Sequence, residues 1–118
     1  MATLRQSGDL QAGARVRLDK WLWAARFFRT RTLAKQAIES GHVRYNGDRP
    51  KVSKEVDIGG VLTVRQGWDE VEVVIRRLSD RRGGAPEARL LYSETAESIT
   101  RREAAAAARR ASAPVDEG

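Results

Sequence analysis

Eleven cations stand between residues 15 and 54, at Arg15, Arg17, Lys20, Arg26, Arg29, Arg31, Lys35, Arg44, Arg49, Lys51 and Lys54. Only Asp19, Glu39 and Asp48 oppose them. The segment therefore carries +8 where the whole 118-residue chain carries +6, and everything outside it sums to −2. Guanidinium and ammonium groups repeated along one surface are what a run of phosphates requires. Arginine presents a planar fork that fits a phosphate bidentately, lysine a mobile point charge, and both displace counterions from a polyanion. The arrangement implies a polyanionic partner, nucleic acid first and an anionic membrane surface second.

Other chemistry finds little support. His42 is the only histidine and has no partners at metal-ligand or catalytic spacing. Cysteine is absent, which excludes disulfides, thiol nucleophiles and cysteine-bound zinc. There is no phosphate-binding glycine loop ahead of a lysine; Gly83-Gly84 reads as a turn. Asp69, Glu70 and Glu72 cluster without a partner that would give them acid–base work, and are expected to keep a strand edge soluble. The expectation is a binding protein and not an enzyme, with no metal and no cofactor. Trp23 and Phe27, four residues apart, permit two readings. They stack on unpaired bases, or they lie under a C-terminal segment around Leu90, Leu91 and Tyr92, the reading favoured here. Trp21 is expected in the core, and Trp68 as a local packing residue in a hairpin turn.

The elements that must position these groups follow from periodicity and punctuation. Leu18, Trp21, Leu22 and Ala25 fall at i, i+3, i+4 and i+7, the apolar face of a first helix that carries Trp23 and Phe27 elsewhere on its surface. A second helix is predicted from Arg31 to Ser40, with Thr30 as N-cap and Gly41 as its stop. Leu33, Ala34, Ala37 and Ile38 share one side of it, and Arg31, Thr32, Lys35 and Gln36 the other. Val43 and Tyr45 alternate with Arg44 and Asn46 in a strand ending in the Asn46-Gly47 turn, followed by a short return strand over 49–52. Further strands are predicted over 61–64 and over 71–75. An exposed loop follows at 81–84, then a helical turn from Pro86 and a solvent-facing helix over 96–112.

The stretch RLDKWLWAARFFRTRTLAKQAIESGHVRYNG, residues 17–47, resembles the alpha-L motif of S4-type RNA-binding domains. The matching positions are Arg17-Leu18-Asp19 opening the first helix, Thr30-Arg31 opening the second, then Ile38, Gly41, Val43 and Tyr45-Asn46-Gly47, with Ser53, Val56 and Gly59 continuing the spacing. Gly59-Gly60 departs from the Gly-Asp usual in that family. RLDKWLWAARF together with LTVRQG and LLYSETAES resembles a bacterial family of fifteen-kilodalton heat-shock proteins across about residues 15–112. The resemblance implies binding to ribosomal RNA on the large subunit, in heat stress or in rescue of stalled subunits carrying peptidyl-tRNA.

The combined expectation is an α+β fold, two helices on a small, mostly antiparallel sheet plus a C-terminal helix. Residues 1–14 are read as a flexible arm, 15–78 as the RNA-binding domain, 79–112 as a loop and helical segment, and 113–118 as a disordered tail. The expected RNA-binding residues are Arg17, Lys20, Arg26, Arg29, Thr30, Arg31, Lys35, Gln36, Arg44, Asn46, Lys51 and Lys54. The first fourteen residues hold no secretory signal, and no stretch reaches the length of a membrane helix. A cytoplasmic monomer without membrane contact is therefore expected. Two alternatives stand beside this reading: an accessory module of an RNA-modifying enzyme, which the chain's length disfavours, and a general nucleic-acid binder that also takes DNA.

Overall fold

The computed structural model describes residues 15–67 and 69–112. The expected arm at 1–14, the tail at 113–118 and Trp68 lie outside the described residues. Val16–Arg17 (β1) runs directly into Leu18–Ala24 (α1), whose apolar side is fully buried at Leu18, Trp21 and Leu22. The helix is shorter than its apolar pattern suggests. Arg26 takes a left-handed backbone (φ 65°), and the amides of Arg26 and Phe27 donate to the carbonyls of Trp23 and Leu22, a Schellman stop without glycine. Phe27 is thus off the helix, and Trp23 and Phe27 are not the i, i+4 helical pair expected.

Arg31–Glu39 (α2) ends in the same device. Gly41 (φ 81°) and His42 donate to Ile38 and Ala37. Ala34, Ala37 and Ile38 face the core as expected, whereas Leu33 is 44% exposed and stands outside the apolar stripe. Val43–Tyr45 (β2) turns through Asn46 and Gly47, both at positive φ as a two-residue hairpin turn demands. The return strand expected over 49–52 does not form. Only Asp48 bridges back to Tyr45, Pro50 has no amide to offer, and the Arg49 guanidinium donates instead to the Glu39 carbonyl at 2.6 Å. The chain runs on to Glu55–Val56 (β3), which pairs antiparallel with β1, Val16 opposite Val56. Two-residue strands carry no readable alternation, so this small ribbon left no trace in the pattern.

Val61–Gln66 (β4) and Asp69–Ile75 (β5) form the central hairpin. After Ala85–Arg89 (α3), Tyr92–Glu94 (β6) adds a fourth strand, and Ala96–Ser112 (α4) closes the described chain. The sheet is antiparallel throughout in the order β2-β4-β5-β6. Its inner face, Val43, Tyr45, Leu62, Val64, Val73 and Ile75, shares one hydrophobic cluster with α1 and α2. This is the expected α+β arrangement. Gly60 is demanded by packing: a Cβ there would sit 2.6 Å from the Tyr45 ring, whose hydroxyl accepts from the Asp57 amide.

α4 is held most firmly near its start, and Arg109 near its end reaches Asp69 at 3.5 Å. Thr95 N–H and Ser98 Oγ continue the ladder along β5 at Glu72, and Glu94 accepts a bidentate pair from Arg102 at 2.7 and 2.8 Å. The helix covers the part of β5 that the short β6 leaves unpaired, which protects an open edge. Its alanine-rich remainder is largely exposed, as expected.

Candidate nucleic-acid interface

The head of α2 is fixed by its cap. Thr30 is extended (φ −135°), and its Oγ1 accepts from the Leu33 amide at 3.0 Å. That places Arg31 at the first helical position, and Lys35 one turn along the same side. Lys35, Gln36 and Thr32 are exposed, and Arg31 is half-buried.

Asp19 joins these elements. It is fully buried; one carboxylate oxygen accepts from Arg17 Nε at 3.1 Å and the other from an Arg31 terminal nitrogen at 3.2 Å. A single carboxylate therefore ties the end of β1 and the first turn of α1 to the head of α2. Arg17 and Arg31 stay 46% and 40% exposed, so each guanidinium keeps nitrogens free to meet another anion. Arg31 Nε is buried without a partner, so this side chain is not fully satisfied by the protein itself. The sequence shows Asp19 as one of three acids among the cations and as part of Arg17-Leu18-Asp19; its burial between two arginines was the feature missed.

The other expected residues fall into groups. Lys20 is half-buried on α1, and Arg26 and Arg29 are exposed in the turn between the helices. Arg44 is exposed on β2. Asn46 is exposed but engaged, its Oδ1 accepting from the Val61 amide at 2.9 Å. Lys51 is exposed, and Lys54 lies beside β1, its ammonium 5.4 Å from the centre of the Tyr45 ring. The structure thus brings Arg17, Arg31 and Lys35 together, with Lys54 against the same end of β1. Asn46 and Thr30 have structural duties in place.

The aromatic residues separate. Phe27 packs between Trp21 and Tyr92, at centroid distances of 6.1 and 4.8 Å, so the C-terminal segment does cover it. Trp23 is half-buried beneath Arg82, whose guanidinium carbon is 5.9 Å from its ring. Arg82 also donates to the carbonyls of Trp23 and Phe28, at 2.6 and 2.9 Å. The segment 81–84, expected as a plain exposed loop, is thus latched onto the α1–α2 turn. Desolvation, and then the neighbouring charge of Arg26, lowers the Arg82 pKa. Glu94 is held below the usual carboxylate range, mainly by its hydrogen bonds from Arg102, and Arg102 is raised in turn. Among the described residues no cluster of His, Asp or Glu can hold a metal, and no helix is long and apolar enough to cross a membrane.

Comparison with known proteins agrees with this geometry. The S4 domain family matches residues 16–62, from β1 into β4. A heat shock protein 15 homolog of Haemophilus influenzae is 60% identical over 95 residues, covering 80% of this chain and 72% of that protein. An RQC P-site tRNA stabilizing factor of Bacillus subtilis is 42% identical over 65 residues, 55% of this chain and 76% of that one. The trimeric structure of Vibrio cholerae heat shock protein 15 superposes with a TM-score of 0.81 at 58% identity, over 82% of this chain and 98% of that one. With most of a 60%-identical relative aligned and the same α+β architecture in a solved structure, the chain belongs to the heat shock protein 15 family and carries its S4 domain.

Proposed function

We propose that this protein is a non-catalytic RNA-binding protein of the large ribosomal subunit, which holds ribosomal RNA and a tRNA seated there. The observation that carries the reading is the Arg17–Asp19–Arg31 unit. A buried carboxylate holds two half-exposed guanidiniums at the head of an exposed basic helix, within the most basic stretch of the chain. Preorganised arginines lose less side-chain entropy when they meet phosphate. The name of the Bacillus subtilis relative supports a tRNA on the ribosome as part of the ligand. Action in heat stress, on stalled subunits carrying peptidyl-tRNA, is the finer form of this proposal, and a cytoplasmic location goes with it.

In this reading the unit over 15–78 makes the contacts, and the segment 79–112 braces it through Arg82, β6 and α4. Phosphate contacts carry little sequence information and do not by themselves separate RNA from DNA, so DNA competes, weakly. One copy suffices for the face described, and the protein acts as a monomer. The Vibrio cholerae relative is trimeric in its structure, and light scattering at binding concentrations distinguishes the two states.

The test is the salt dependence of binding to a ribosomal RNA fragment. With about four to six phosphates contacted, log affinity falls with log salt at a slope of roughly −3 to −5. A slope near zero overturns the reading.

A further inference from the structure

We propose a ribonucleotide pocket on the outer face of the sheet, a second anchor that rests on the RNA-binding reading and extends it beyond the α2 face. Where α2 ends, a cavity of about 220 Å³ opens, lined by Ser40, His42, Arg44, Thr63, Arg65 and Glu70. The register builds it. Arg44 stands opposite Thr63 across β2 and β4, and Arg65 opposite Glu70 across β4 and β5. These four share the face opposite to buried Leu62 and Val64. The Schellman turn at Gly41 sets Ser40 and His42 at its rim, and the Arg65 amide donates to the His42 carbonyl at 2.8 Å.

The side chains of His42, Arg44 and Arg65 make no hydrogen bond or ion pair among the described residues, and Arg65 forms none with Glu70 although the two are cross-strand partners. The concavity therefore offers two uncommitted guanidiniums, an imidazole, two hydroxyls and one carboxylate. Bare phosphate suits it poorly, because Glu70 repels it. A ribose phosphate suits all of it: Arg44 and Arg65 take the phosphate, and Glu70 accepts a hydrogen bond from the 2′-hydroxyl, the group that marks RNA. The position is also right. Ser40 lies about 14 Å along α2 from Arg31, a span of a few nucleotides, so a strand held at Arg31 and Lys35 is long enough to reach the pocket at the end of the helix. The residues that hold phosphate on α2 and the site that tells RNA from DNA are then separate.

The experiment uses the full chain, a short stem–loop RNA and the deoxy strand of the same sequence, titrated at several salt concentrations. Thermal melts confirm that each variant is folded. Arg65→Gln weakens both ligands several-fold and makes the salt slope shallower by about 0.7–0.9, one phosphate contact. Glu70→Ala lowers the preference for RNA over DNA by about tenfold or more, the loss of one hydrogen bond to a charged group. If Arg65→Gln binds as the wild type while Arg31→Glu loses affinity, the pocket is not a binding site and the RNA-binding reading stands. If Glu70→Ala leaves the RNA-to-DNA ratio unchanged, the ribose assignment is overturned. If Arg31→Glu also binds unchanged, the RNA-binding reading itself fails.

Discussion

Replacing Asp19 with alanine separates the unit that orders the two arginines from the arginines themselves. Asp19 is fully buried and accepts two charge-assisted hydrogen bonds, from Arg17 and Arg31. Each such bond contributes about 1.5–3 kcal/mol where the groups are desolvated. Both arginines are 40% exposed or more, so water recovers part of that loss when the carboxylate is gone. Removing one partner of a fully buried pair costs about 3–5 kcal/mol, and the exposure here brings the expectation down to roughly 2–3 kcal/mol. For a unit of this size that lowers the melting midpoint by roughly 8–20 °C. RNA affinity falls as well, at a temperature where the variant is still folded, although no residue that meets RNA has been changed. Differential scanning fluorimetry, with fluorescence anisotropy on a ribosomal RNA fragment at low temperature, reads both effects. A variant that melts with the wild type and binds RNA equally well refutes the argument that Asp19 organises this face.

Arg26→Gly relieves a left-handed backbone strain of about 1–2 kcal/mol and gives back roughly 0.5–1 to glycine's chain entropy. The variant should melt slightly higher than the wild type in calorimetry while binding RNA more weakly. The docking of α4 depends on Glu94, whose pKa is lowered from its ordinary value of 4.5 chiefly by Arg102. A depressed carboxylate stabilises the fold above its unfolded pKa and loses that contribution as pH falls through the folded value. Amide exchange of α4 should therefore stay protected at pH 5 and above, and rise only below about 4.5. Leu22→Asp places an unpaired charge in the core, an expected loss of several kcal/mol that abolishes the cooperative thermal transition, whereas Lys35→Glu should melt like the wild type.

The long, periodic elements were legible in the sequence, and the features set by distant contacts were not. α2 was readable because Thr30 and Gly41 punctuate a stretch with a clear apolar side, and both ends behave as those residue types dictate. α1 was overextended because Arg26 does the work of a terminating glycine, and an arginine in that backbone conformation sends no local signal. β3 is two residues long, too short for alternation to register, and the three residues of β6 are all half-buried and do not alternate. Within the site, the charge cluster and the exposed side of α2 could be read directly. The roles of Asp19 and Arg82 could not, because each is defined by partners far along the chain: Arg31 for the first, Trp23 and Phe28 for the second.

The central claim is that a defined basic face, and not overall positive charge, holds the protein on the large ribosomal subunit. Arg31→Glu with Lys35→Glu reverses two charges on that face. Arg81→Glu with Arg89→Glu reverses two exposed charges outside it and changes the net charge equally. Because Arg31 also partners buried Asp19, thermal melts first establish that each variant is folded at the temperature used, and sedimentation with purified large subunits on a sucrose gradient then compares them directly. The α2 pair should lose on the order of a hundredfold in affinity and remain at the top of the gradient, while the control pair travels with the subunits like the wild type. If both pairs dissociate alike, or if the α2 pair still co-sediments, the defined face does not exist.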